Sequence, residues 1–114
     1  MKLVGRVPLR SLDDAALVRL KYPPFDVLIT LVDGEPRALE DACNHAGASL
    51  SNGWLDEGGQ CIVCPVHAYM FDLKTGRCVA PAGLCDDQRT FVTRVEGDDV
   101  LVYDPVEILI TLGR

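Results

Sequence analysis

The chain has 114 residues, 48% of them hydrophobic and 25% charged, and a formal net charge of -6; that is room for one domain with a real core and argues against a disordered or fibrous chain. The acidic balance, with eleven Lys and Arg that form no patch, argues against nucleic acid or an anionic membrane surface as a partner. No apolar run reaches bilayer length and no signal peptide is visible, so the expectation is a cytoplasmic protein whose five cysteines, an odd count, are reduced or metal-bound rather than a disulfide framework.

In chain order, residues 2–9 mix apolar and basic positions before Pro8 and suit an edge strand. Residues 11–15 (SLDDA) read as a polar turn able to cap a short helix. Ala16, Val18 and Leu20 then alternate at the period of a half-buried strand. After Pro23-Pro24, residues 27–32 (VLITLV) predict a strand covered on both faces. Asp33-Gly34 predicts a tight turn that returns residues 37–40 antiparallel and delivers the chain to Cys43. Trp54-Leu55, the turn Glu57-Gly58-Gly59 and Gln60 to Val63 predict a second hairpin leading to Cys64. Tyr69 to Leu73 predict a strand, Lys74-Thr75-Gly76 a turn, and Arg77 to Val79 a further extended segment before Pro81-Ala82-Gly83. Phe91, Thr93 and Val95 alternate up to Gly97-Asp98-Asp99, Val100 to Tyr103 pair back, and residues 106–112 (VEILITL) read as one more strand. Many short strands with frequent turns predict an all-β sandwich or barrel.

Two clips carry the chemistry, Cys43-Asn44-His45 and Cys64-Pro65-Val66-His67, and they contain the only two histidines of the chain. Each follows a hairpin and offers one soft thiolate and one imidazole. Zinc fingers place both cysteines before both histidines, the latter on a helix, whereas the order here alternates on loops; a structural zinc stays open as the lesser alternative. The other chemistry that uses two thiolates and two imidazoles is a [2Fe-2S] centre with two histidines on one iron.

At these residues the chain resembles the Rieske ferredoxin family. Its Cys-x-His and Cys-x-x-His pattern is matched by Cys43, His45, Cys64 and His67. Gly47-Ala48, Leu50-Ser51, Pro65, Phe71-Asp72, Thr75-Gly76, Pro81-Ala82 and the hairpin from Arg94 to Asp99 extend the likeness over nearly the whole chain. The resemblance implies a Rieske-type iron-sulfur protein fold, an antiparallel β-sandwich with a small cluster-binding subdomain (about 41–84) of two hairpin loops, in a single domain 1–114. It also implies one [2Fe-2S] cluster, with Cys43 and Cys64 on one iron and His45 and His67 on the other, and a covering loop at Pro81 to Gly83. High-potential members carry a loop-bridging disulfide and a serine where this chain has Ala48, Val66 and Tyr69. Fewer hydrogen bonds then reach the cluster sulfurs, and a potential on the order of -150 mV is expected. Ala68, where the family has glycine, is expected to alter the second loop's backbone.

Cys61 and Cys78 read as buried thiols rather than ligands. The acidic neighbours Asp86 and Asp87 disfavour a thiolate at Cys85. Trp54 and Phe71 read as core residues, and Tyr69 either donates its hydroxyl toward a cysteine sulfur or packs. No histidine is left for a second iron or a catalytic triad, and no Gly-rich nucleotide loop is present. By resemblance the chain is thus not an enzyme but an electron carrier, passing electrons from a flavin-dependent reductase to a terminal oxygenase, with Asp86 and Asp87 available to dock a basic partner face. The alternatives are a nitrite-reductase small-subunit-like accessory protein and a redox or iron sensor.

Overall fold

A computed structural model describes residues 1–45 and 47–105. Among these described residues ten strands form two antiparallel sheets: β1 (Lys2–Pro8), β2 (Val18–Leu20), β3 (Val27–Val32), β4 (Glu35–Glu40), β5 (Trp54–Leu55), β6 (Cys61–Val63), β7 (Met70–Asp72), β8 (Cys78–Ala80), β9 (Thr90–Glu96) and β10 (Asp99–Asp104). The larger sheet runs β1-β10-β9-β4-β3-β2 and the smaller β5-β6-β7-β8. The chain is therefore all-β, as expected, with β1 at an edge.

Strand β3 explains how two sheets share one molecule. Side chains alternate across a strand, so Leu28 and Val32 enter a core completed by Leu39, Leu50, Ile62, Phe71 and Leu73 under the small sheet. Val27 and Ile29 enter a second core with Val7, Leu12, Ala38, Phe91, Val100 and Val102. The uninterrupted apolar run is thus a wall between two cores, the doubly covered strand its sequence predicts. Complete burial of a Leu or Phe stabilises by roughly 1.5–3 kcal/mol, and Leu28, Leu39, Ile62 and Phe71 are fully buried.

Four expectations need correction. The short helix is a 3-10 turn at Leu9–Leu12 that runs into the polar segment rather than out of it. Asp14 and Ala15 then take left-handed φ of 60° and 59°, which postpones the strand to Val18. Trp54 is 52% exposed because β5 is an edge strand: Leu55 turns inward against the core, so its neighbour must turn out. Cys78 is half-buried rather than buried. The strand expected at residues 106–112 lies outside the described residues. No helix among the described residues is long and apolar enough to cross a membrane.

Candidate metal centre

The two clips are copies of one backbone turn. In the first, Cys43 N–H donates to the Ala48 carbonyl (2.8 Å) and Gly47 N–H donates to the Cys43 carbonyl (2.7 Å). In the second, Cys64 N–H donates to the Tyr69 carbonyl (2.8 Å) and Ala68 N–H to the Cys64 carbonyl (3.0 Å). Each turn is closed by a residue with left-handed φ four places after its cysteine, Gly47 at 71° and Ala68 at 57°. The methyl of Ala68 therefore does not change the dihedral. The loop keeps the left-handed geometry, at a cost of roughly 1–2 kcal/mol for a residue with a Cβ.

The shared turn sorts the four candidate ligands into two environments. Cys43 and Cys64 are 2% and 0% exposed and belong to the same core, while His45 and His67 sit exposed at the loop tips. Histidine falls two places after the cysteine in one loop and three in the other. The rings come together at 5.1 Å between centroids, edge to face at 67°. Tyr69 lies flat on the His45 ring, 3.9 Å away and 15° from parallel, so it packs by its ring face. Among the described residues no three His, Cys, Asp or Glu side chains converge on one point as around a single ion. Two buried sulfurs and two neighbouring solvent-facing rings agree in kind with the two thiolates and two imidazoles that a [2Fe-2S] centre of this type requires.

Two polar residues that the sequence reading passed over brace the first loop. Gln88 is 3% exposed. Its amide nitrogen donates to the carbonyls of Glu40 (2.8 Å) and Ala42 (2.6 Å), and its amide oxygen accepts from Asn44 N–H (3.1 Å) and the Asn44 side chain (2.6 Å). Gln88 N–H in turn donates to the Gly76 carbonyl (2.6 Å). A Cβ at Gly76, whose φ is +78°, would stand 2.1 Å from the Gln88 carbonyl oxygen, so only glycine permits this approach. Asp41, 1% exposed, accepts from Ser51 N–H (2.8 Å) and the Ser49 hydroxyl, fixing the far end of the loop. The Asp41 clue was available in Ser49 and Ser51 just past the clip; nothing in the sequence marks Gln88.

Of the remaining thiols, Cys78 and Cys85 pack against the core that contains Cys43 and Cys64, while Cys61 pairs with Asp72 across the small sheet. Burial pushes the Cys61 thiol up, helped by Asp56 and Asp72. Cys85 is pushed up to about 12, first by burial, then by a hydrogen bond with Cys78, with Cys43 and Asp86 adding smaller contributions. The acidic neighbourhood thus acts in the expected direction, but burial outweighs it. Asp87 accepts a hydrogen bond from Cys78 N–H (3.1 Å).

Residues 7–85 match the family described as the Rieske [2Fe-2S] domain. The chain is 40% identical over 87 residues to the ferredoxin component of biphenyl 2,3-dioxygenase from Rhodococcus jostii, covering 75% of this chain and 78% of that protein. It is 33% identical over 106 residues to the 3-phenylpropionate/cinnamic acid dioxygenase ferredoxin subunit of Escherichia coli, covering 92% and 96%. Among solved structures, it is similar to the ferredoxin of carbazole 1,9a-dioxygenase from Nocardioides aromaticivorans (TM-score 0.78, 25% identity, 90% of this chain and 98% of that one). A second similar structure is a complex of reduced oxygenase and oxidized ferredoxin in carbazole 1,9a-dioxygenase (TM-score 0.74, 27% identity, 90% and 91%). A putative nitrite reductase small subunit shares the fold (TM-score 0.74, 21% identity, 91% and 100%).

Proposed function

The chain belongs to the Rieske [2Fe-2S] domain family, and from that premise we propose that Cys43 and Cys64 hold one iron of its cluster and His45 and His67 the other. The observation that carries the ligand assignment is the pair of matched loops with two cysteines inside and two histidine rings 5.1 Å apart outside. The chain functions as a ferredoxin-type electron carrier rather than a catalytic subunit, and it works with the terminal oxygenase of an aromatic-ring dioxygenase system. A flavin-dependent reductase is the electron source in this reading. The chain is taken as one cytoplasmic domain, 1–114, with residues 41–84 as the cluster-binding part.

When bound, the cluster supplies a site that takes up and releases one electron. The chain does the rest. Leu50, Ile62 and Phe71, all fully buried, exclude water from the cysteine side. His45 and His67 present their rings to solvent, the short path to a docked partner. Val66, beside His67 and 51% exposed, gives the tip an apolar contact, and Asp86 and Asp87 add negative charge for a basic partner face. Four ligand-type residues in two intact loops weigh against the nitrite-reductase accessory role.

Anaerobic purification followed by iron, sulfide and zinc analysis and an EPR spectrum of the reduced protein tests the assignment. About two irons and two labile sulfides per chain are expected for this cluster type, whereas one zinc with no sulfide refutes it. Turnover with reductase and oxygenase should fall as salt rises, since charge steering is screened over about 10 Å at 0.1 M.

A further inference from the structure

Tyr69 serves both ligand loops at once. Its carbonyl accepts from Cys64 N–H (2.8 Å) and closes the second turn, and its side chain packs against the core that holds Cys43 and Cys64. From that anchored position its ring crosses to the other loop and lies on the His45 imidazole, 3.9 Å between centroids and 15° from parallel. The two histidines are therefore not equivalent. His67 meets Tyr69 only obliquely, at 6.4 Å and 53°, and meets His45 edge to face. The difference bears on ligand chemistry because an imidazole binds metal through a lone pair in the plane of its ring. Rotation about the bond to that ring is soft, so an unbraced imidazole sweeps its lone pair through an arc. A second ring, parallel to the first and in contact with it, stops that rotation, since turning drives one edge into the neighbouring face. Metal-bound imidazoles are commonly held by a hydrogen bond on the outer nitrogen; on His45 the structure shows an aromatic wall. The backbone of the same loop is braced separately, through Asn44 and Gln88.

We propose that Tyr69 is a positioning residue for the metal centre: its ring face fixes the plane of the His45 imidazole, while His67 keeps the greater rotational freedom. The contact acts through the flat face of the ring and not through the hydroxyl. Phenylalanine at this position therefore serves equally well, and an aliphatic side chain does not. Tyr69 also couples the two loops, because a ring anchored in the second loop and the core restrains the tip of the first. An aromatic pair contributes enough beyond its buried area that losing it weakens the hold on His45 by a factor of roughly 2 to 12. A ligand whose plane is already set has less to rearrange when an electron arrives or leaves, which is the benefit of holding a metal-binding side chain from outside its own loop. The effect on iron rests on the ligand assignment above, but the stacking of the two rings does not.

Reduced holoprotein carrying heavy nitrogen only in its histidines is read by pulsed EPR, in which each bound imidazole gives its own nitrogen coupling. In Y69L one of the two couplings should shift or broaden while the other stays; in Y69F both should match wild type. Iron release to a chelator should quicken roughly 2- to 12-fold in Y69L and be unchanged in Y69F. A second measurement needs no variant and decides the matter if Y69L fails to take up iron. With ring-deuterated tyrosine the wild-type spectrum should show a deuterium coupling from Tyr69, the tyrosine stacked on a candidate ligand; Tyr22 packs with the second core and Tyr103 lies on β10. Absence of that coupling overturns the proposal. So does an equal shift of both nitrogen couplings in Y69L, which marks general loosening, or a Y69F protein that behaves as Y69L does, which gives the role to the hydroxyl. A wild type with no histidine coupling refutes the ligand assignment and takes this proposal with it, whereas two wild-type couplings that Y69L leaves unchanged refute the proposal alone.

Discussion

Replacing Gln88 by methionine isolates what the buried amide contributes. The two side chains are similar in length, so Q88M keeps the packing volume and removes the four hydrogen bonds. Three backbone groups, the carbonyls of Glu40 and Ala42 and the N–H of Asn44, lose that partner. At roughly 1 kcal/mol each, the low end for groups that water can partly reach, the loss is about 3 kcal/mol. With a urea dependence of about 2 kcal/mol/M for a small domain, the unfolding midpoint should fall by roughly 1.5 M. Asn44 lies between Cys43 and His45, so the damage is local to the metal centre, and iron should leave to a chelator faster in Q88M than in wild type. A midpoint within about 0.5 M of wild type and an unchanged rate of iron loss would refute the reasoning, because water would then replace the amide without penalty.

The left-handed Ala68 makes the opposite prediction: A68G relieves roughly 1–2 kcal/mol of backbone strain and concedes about 0.4–1 kcal/mol to the freer unfolded chain. The melting midpoint should rise by a few degrees; a fall counts against the strain. Cys61 and Cys64 lie three residues apart but differ in role, so C61S should retain full iron while C64S should lose the visible spectrum. A redox titration should return a potential on the order of -150 mV, and a strongly positive value would show that the missing disulfide and serine do not set it. Asp26 is held below the ordinary carboxylate range, chiefly by the Tyr22 N–H and then by Arg19. A depressed folded value stabilises the native state above the unfolded pKa of about 3.9, and this is lost as pH falls through the lower folded value. The stability difference between wild type and D26N should therefore shrink below about pH 4; a constant difference would place the effect elsewhere.

What could be read in the sequence had a local cause. Asp33-Gly34 and Gly97-Asp98 turn the chain within a few residues, and the β-branched run at 27–32 announces its burial without reference to anything distant. The clips were legible because the only two histidines each stand beside a cysteine. What escaped was set by partners far along the chain. Gln88 reaches Asn44 across 44 residues and Glu40 across 48, and an isolated amide between Asp87 and Arg89 gives no hint of it. Trp54 was misplaced for a related reason, since which of two adjacent residues faces inward depends on where the neighbouring sheet lies. The left-handed pair Asp14-Ala15 likewise broke a strand pattern that the alternation alone would have begun at Ala16.

The matched turns bear on how the centre is assembled. The four hydrogen bonds that match between the two loops join backbone atoms within the loops themselves, so the closure of each turn is written into its own backbone. Incoming iron and sulfide then meet cysteines and histidines whose chain entropy has largely been surrendered during folding, and binding recovers more of its intrinsic affinity. Repetition of one short turn has a second effect. A scaffold that stores the same shape twice, with the imidazole advanced by one residue in one copy, makes an asymmetric receptor from nearly symmetric parts.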